Sequence, residues 1–111
     1  MAGDEITLRI NPAPEFEAAV NISTPGAAPQ KLLVRYRYQQ KQAALDWFRA
    51  VNGREPGTEA ATLAEVIVGW SGCDVPYSLE NLGLLIANYH QADTELLMGY
   101  LAGLRGARAG N

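Results

Sequence analysis

Leu32-Leu33-Val34-Arg35-Tyr36-Arg37-Tyr38-Gln39-Gln40-Lys41-Gln42-Ala43-Ala44-Leu45-Asp46-Trp47-Phe48-Arg49-Ala50-Val51 changes its period in the middle. Up to Tyr38 the apolar residues alternate, with Leu32, Val34, Tyr36 and Tyr38 on one face and Leu33, Arg35 and Arg37 on the other. That is the period of a half-buried strand. After Gln39 the spacing becomes helical, with Ala44, Trp47, Phe48 and Val51 at i, i+3, i+4, i+7 and Asn52-Gly53 as a stop. The chain therefore divides into a strand region, about 5–38, and a helical region, about 39–105.

Upstream, Phe16, Ala18, Val20 and Ile22 alternate with polar or small residues, and Thr24-Pro25-Gly26 supplies a turn before Leu32. Two such runs joined by Pro-Gly predict an antiparallel hairpin. Ile6, Leu8 and Ile10 alternate as well and are the candidate third strand, set apart by Asn11-Pro12-Ala13-Pro14. Two strands with one apolar face are marginal in water, so the sheet must rest on something.

Downstream, the spacing predicts three more helices. Thr58 is the expected N-cap of the first, with Leu63, Val66, Ile67 and Trp70 as its stripe and Gly72 as its left-handed stop. Ser78 is the expected cap of the next, whose apolar face is Leu79, Leu82, Ile86 and Tyr89. The last begins near Ala92 or Asp93 and carries Leu97, Tyr100, Leu101 and Leu104, after which Gly103, Gly106 and Gly110 loosen the terminus and 106–111 should fray. The expectation is one α+β domain over 1–111, an N-terminal antiparallel hairpin or three-stranded meander packed on a C-terminal four-helix array. Trp47, Phe48 and Trp70 are its expected central anchors, and a fully buried Trp70 would cost about 3–5 kcal/mol on replacement by Ala.

Composition narrows the function. The 111 residues are 48% hydrophobic and 19% charged, as in folded domains. The net charge of −3 is unevenly spread. Residues 1–54 carry an excess of two positive charges, and 55–104 hold seven carboxylates without a Lys or Arg. Arg105 and Arg108 return the chain to positive at its end. Nucleic acid is disfavoured, because neutralising phosphates requires clustered cations. No apolar run approaches the about 18–20 residues of a membrane span, and the acidic Met1-Ala2-Gly3-Asp4-Glu5 opening does not read as a signal peptide.

The chemistry-bearing residues are sparse. One Cys, Cys73, and one His, His90, cannot make an internal disulfide or close a zinc site. A nucleophile also needs a base and an orienting group, and Cys73 reads more simply as a packed thiol. The acids Glu55, Glu59 and Glu65 fall on polar positions, and Asp74 has no acidic neighbour nearer in sequence than Glu80. Gly69, Gly72 and Gly83 lack a phosphate-cradling spacing. The expectation is a non-enzymatic protein with no catalytic, cofactor or metal residues. Trp70, Asp74, Tyr77 and Tyr89, in or beside one loop, are the candidate partner-binding residues, with Arg35 and Arg37 on the sheet as candidates for meeting a neighbouring copy's acidic helices.

From Phe16 onward the chain resembles small phage tail assembly chaperones. The resemblance is carried by the strand pair Phe16–Ile22 and Leu33–Tyr38 and by Leu63-Ala64-Glu65-Val66-Ile67-Val68-Gly69-Trp70-Ser71-Gly72-Cys73-Asp74, continuing through Val75-Pro76-Tyr77-Ser78-Leu79-Glu80-Asn81-Leu82. Leu85-Ile86-Ala87-Asn88-Tyr89, Tyr100-Leu101 and Gly106-Ala107-Arg108 complete it. The resemblance implies a holdase in the host cytoplasm that keeps the tape measure protein soluble until the tail tube protein, a second possible partner, polymerises around it. It implies self-association into a homo-oligomer, absence from the finished virion and, in many members, a longer frameshifted form. The chain departs from the pattern at Asn88-Tyr89-His90, where a proline would be expected, and at Cys73, where an aliphatic residue would be. Loss of that proline predicts a softer break between the last two helices. The competing expectation is a structural tail or head–tail component retained in the virion.

Overall fold

Alternation at Phe16, Ala18, Val20 and Ile22 produces strand β1, Glu15–Ile22, and alternation at Leu32, Val34 and Tyr36 produces β2, Gln30–Arg37. The computed structural model describes residues 7–106 and pairs these strands antiparallel, with Phe16 opposite Tyr36, Ala18 opposite Val34 and Val20 opposite Leu32. One face thus collects every buried side chain of the hairpin. The turn between them closes by a hydrogen bond from Ala27 N–H to Thr24 C=O, 3.2 Å, with Pro25 and Gly26 as its central residues. Gly26 has φ +70°, the left-handed value that the third residue of a type II turn requires.

The third strand is not the N-terminal run. Leu8 and Ile10 are 86% and 85% exposed, and residues 7–14 form no strand. Ile6 lies outside the described residues, as do residues 107–111 of the expected frayed end. The third strand is β3, Ile67–Ser71, paired antiparallel with β2 in the sheet order β1-β2-β3. The helix expected over Leu63–Trp70 is one short piece, Glu59–Leu63. Four apolar residues at helical spacing did not outweigh the run Val66-Ile67-Val68, whose β-branched side chains suit a pleated surface beside an otherwise open β2. Gly72 does take the left-handed conformation, φ +85°, but it ends a strand. Thr58 does not cap: its hydroxyl donates to Glu55 C=O at 2.6 Å, and no side-chain cap bond forms.

The helices are α1, Lys41–Val51; α2, Glu59–Leu63; α3, Leu79–Asn88; and α4, Ala92–Leu104. Ser78 caps α3 as expected, its Oγ accepting from Asn81 N–H at 3.0 Å. The break after α3 is complete without a proline, because Tyr89 turns extended (φ −120°, ψ 103°) and α4 starts three residues later.

On α4 the fully buried line is Ala92, Leu96 and Tyr100, one residue earlier than the expected Leu97–Leu101 stripe, which is half-buried apart from Tyr100. Gly99 and Gly103 explain the rotation. A Cβ on Gly99 would stand 2.6 Å from Val20 Cγ2, and one on Gly103 would collide with the Phe16 ring. The helix presses its glycine face onto β1, so Gly103 is a packing residue and not a loosener of the terminus.

The core centre is also displaced from expectation. Tyr36 and Tyr100 are its largest fully buried side chains, with Ile67, Leu82, Leu96, Val34 and Val66 around them. Trp47, Phe48 and Trp70 are half-buried and pack against it from outside. Trp47 is tied by its indole N–H to Glu65 at 2.9 Å, and Arg54 pairs with the same carboxylate at 2.7 Å. The Arg54 hydrogen bond first, and then that from Trp47, holds the Glu65 carboxyl below the usual range.

The result is a two-layer α+β architecture with helices on one side of a three-stranded antiparallel sheet. The other side of the sheet carries the exposed Glu15, Glu17, Asn21, Lys31, Arg35 and Arg37.

Candidate functional site

β3 delivers Trp70 to the end of the sheet, opposite Val34 on the apolar face. The following loop, Gly72 to Tyr77, folds back beside it because the Trp70 indole N–H donates to Val75 C=O at 2.9 Å. Tyr77 then stands edge-on against the Trp70 ring, centroids 5.2 Å apart, with its hydroxyl donating to Ile67 C=O at 3.1 Å. Asn81 Nδ2 donates to Pro76 C=O at 2.8 Å, which fastens the loop to the first turn of α3.

This arrangement leaves an open groove of about 560 Å³ between the loop, the turn end of the hairpin and the flank of α3. Trp70 and Leu32 lie on its sheet side, Val75 on its loop side, and Leu84, Leu85 and Tyr89 on its helix side. Leu84 is 56% exposed and Val75 40%. Polar groups border it: Gln30, Lys31, Asp74, Asn81 and Asn88. Gln30 Nε2 donates to the Tyr89 hydroxyl at 3.3 Å, so the hairpin turn and the end of α3 are joined across one end.

The residues proposed from sequence divide into two places. Trp70, Asp74 and Tyr89 line the groove, and Tyr77 backs Trp70, half-buried, with its phenol pushed up by burial. Arg35 and Arg37 are on the opposite, helix-free face of the sheet. Arg35 pairs there with Glu15 of its own chain at 3.2 Å, and its guanidinium lies across Gly69. Val75 and Leu84 were missed. Leu84 had a legible signal, since it falls off the Leu79-Leu82-Ile86 stripe and so places an apolar group on a polar face.

Cys73 is exposed on the groove rim and not packed as expected, because Gly72 turns the chain outward immediately before it. Its neighbour is the Asp74 carboxylate, 3.7 Å from Sγ. His90 is exposed beyond the end of α3. Among the described residues no three of His, Cys, Asp and Glu cluster as a metal site, and no helix is long and apolar enough to cross a membrane.

No curated protein and no solved structure gives a significant match. The family model described as phage tail assembly chaperone matches residues 1–111, the whole chain. Because that match spans the full length, this chain belongs to the phage tail assembly chaperone family.

Proposed function

We propose that this protein binds an apolar helical segment of the tape measure protein in the groove formed by Trp70, Val75, Leu84, Leu85 and Tyr89, and keeps that client soluble during tail morphogenesis. Family membership implies binding to tail proteins. The observation that carries the choice of surface is the exposure of Leu84 and Val75 on facing walls of one groove. An amphipathic helix lays its apolar side into such a groove and leaves its polar side to the rim. The activity is non-enzymatic, acts in the host cytoplasm and ends before the virion is complete.

Co-expression with the tape measure protein tests it. Leu84→Asp and Val75→Asp alter exposed side chains and should leave the fold intact while soluble tape measure protein falls. An unchanged soluble yield from folded variants would overturn the reading. Mass spectrometry of purified virions separates it from the structural-component reading: a chaperone is absent, whereas a retained part appears in stoichiometric amount.

A further inference from the structure

We infer that the N-terminal arm, residues 7–10, pairs with the open edge of β1 in a second copy of this chain. This contact is separate from the groove. Thr7-Leu8-Arg9-Ile10 has strand alternation, and its two apolar side chains are the most exposed large hydrophobics among the described residues. β1 is an eight-residue edge strand without a proline, and among the described residues only β2 pairs with it. Such an edge offers unpaired N–H and C=O groups, and a strand added there satisfies them.

In this structure the arm does not lie along its own edge: residues 7–14 form no strand, and Leu8 and Ile10 are 86% and 85% exposed. Tyr38 N–H donates to Pro14 C=O at 2.8 Å, which fixes the base of the arm at the end of β2. A hairpin closed over Asn11–Pro14 would set Ile10 opposite Glu15 and Leu8 opposite Glu17. Cross-strand neighbours share a face, so both apolar residues would join the charged outer face and Arg9 the apolar one. A second copy can offer its edge in any register. With Arg9 beside Glu17, Ile10 and Leu8 flank Phe16 and Ala18 on the apolar face. Phe16 is only half-buried, and Ala18 is small enough to leave room at the edge. Glu17 and Arg9 make no ion pair among the described residues, so both charges are available to the register.

The test is light scattering on the full-length chain across the micromolar range. Wild type should self-associate, and Leu8→Asp/Ile10→Asp should lower the association constant by about tenfold or more while circular dichroism stays unchanged. Leu84→Asp should leave self-association as in wild type, which keeps this contact distinguishable from the groove. Glu17→Arg should weaken assembly and Glu17→Arg with Arg9→Glu should restore it. A wild-type monomer throughout the range, or arm variants that assemble as wild type does, would overturn the inference. A charge exchange that restores nothing would overturn the register.

Discussion

Tyr36 of β2 and Tyr100 of α4 stand with ring centroids 5.2 Å apart, and each bonds to the other's element. The Tyr36 hydroxyl donates to Leu96 C=O at 2.8 Å, and the Tyr100 hydroxyl donates to Arg37 C=O at 2.9 Å. The last helix and the middle strand are therefore fastened by two reciprocal bonds as well as by apolar area. The Leu96 carbonyl lies in mid-α4 and already serves the helix ladder, so the buried Tyr36 hydroxyl is its second donor. Tyr36→Phe and Tyr100→Phe should each destabilise by about 0.5–1.5 kcal/mol, the net worth of one hydrogen bond. Urea denaturation of both variants and the double variant checks this. Because the rings touch, the double loss should differ from the sum of the single losses.

The same two phenols set an alkaline limit. Burial pushes Tyr100 up to about 12, opposed in part by the Arg37 charge, and burial raises Tyr36 as well. In the unfolded chain both ionise near about pH 10. Between those values the unfolded chain releases protons that the folded one retains, so stability falls as pH rises. The stabilisation is complete below about pH 10 and is lost above it. Melting temperature should thus drop on the alkaline side, with ionised-phenol absorbance from the buried tyrosines appearing together with unfolding. Tyr36→Phe should make the fall of stability with alkaline pH shallower.

Helix propensity alone would favour Ala over Gly at positions 99 and 103 by about 1 kcal/mol. The sheet decides otherwise, and differently at the two sites. At Gly99 the obstacle is Val20, a buried β-branched residue in mid-strand, 2.6 Å from the new Cβ, with the Tyr36 hydroxyl 3.0 Å away. Neither can give way without breaking the core, so Gly99→Ala should cost about 1–3 kcal/mol net. At Gly103 the obstacle is the rim of the half-buried Phe16 ring, which can swing outward. Gly103→Ala should therefore be close to neutral. A Gly99→Ala variant at least as stable as wild type in thermal denaturation would show that α4 does not rest on β1 through Gly99.

These contrasts also mark what could be read from residues alone. The hairpin was legible because alternation and a Pro-Gly turn agree, and the face carrying Val20 and Tyr36 followed directly. Ser78 was legible because capping is local. The third strand was not, since Ile67–Ser71 matches a helical stripe as well as a strand, and only the open side of β2 decides between them. The glycines of α4 were misread for a related reason: their value is the close approach of a partner element, which no local pattern reports. Beside the groove, Tyr77 was visible as a loop aromatic that no helical stripe needs. The pairing of Val75 with Leu84 was not, because it arises from the fold-back held by the Trp70–Val75 hydrogen bond.

The two tryptophans lie at different places, which makes the groove directly observable. Trp70 lines it, whereas Trp47 sits in the aromatic cluster of Phe48 and Tyr100 and bonds to Glu65. In a Trp47→Phe variant, Trp70 is the sole indole. Its emission should shift to shorter wavelength when an apolar helical peptide from the tape measure protein is added, because seating the peptide removes water from its exposed edge. In a Trp70→Phe variant the remaining Trp47 should stay silent. Cys73 on the same rim gives a second readout, since alkylation of its exposed thiol should slow when the peptide is bound. Leu84→Asp should abolish both signals, while Leu8→Asp/Ile10→Asp should retain them. A response from Trp47 with none from Trp70 would place the client on the opposite flank of the helical layer and remove the groove from the mechanism.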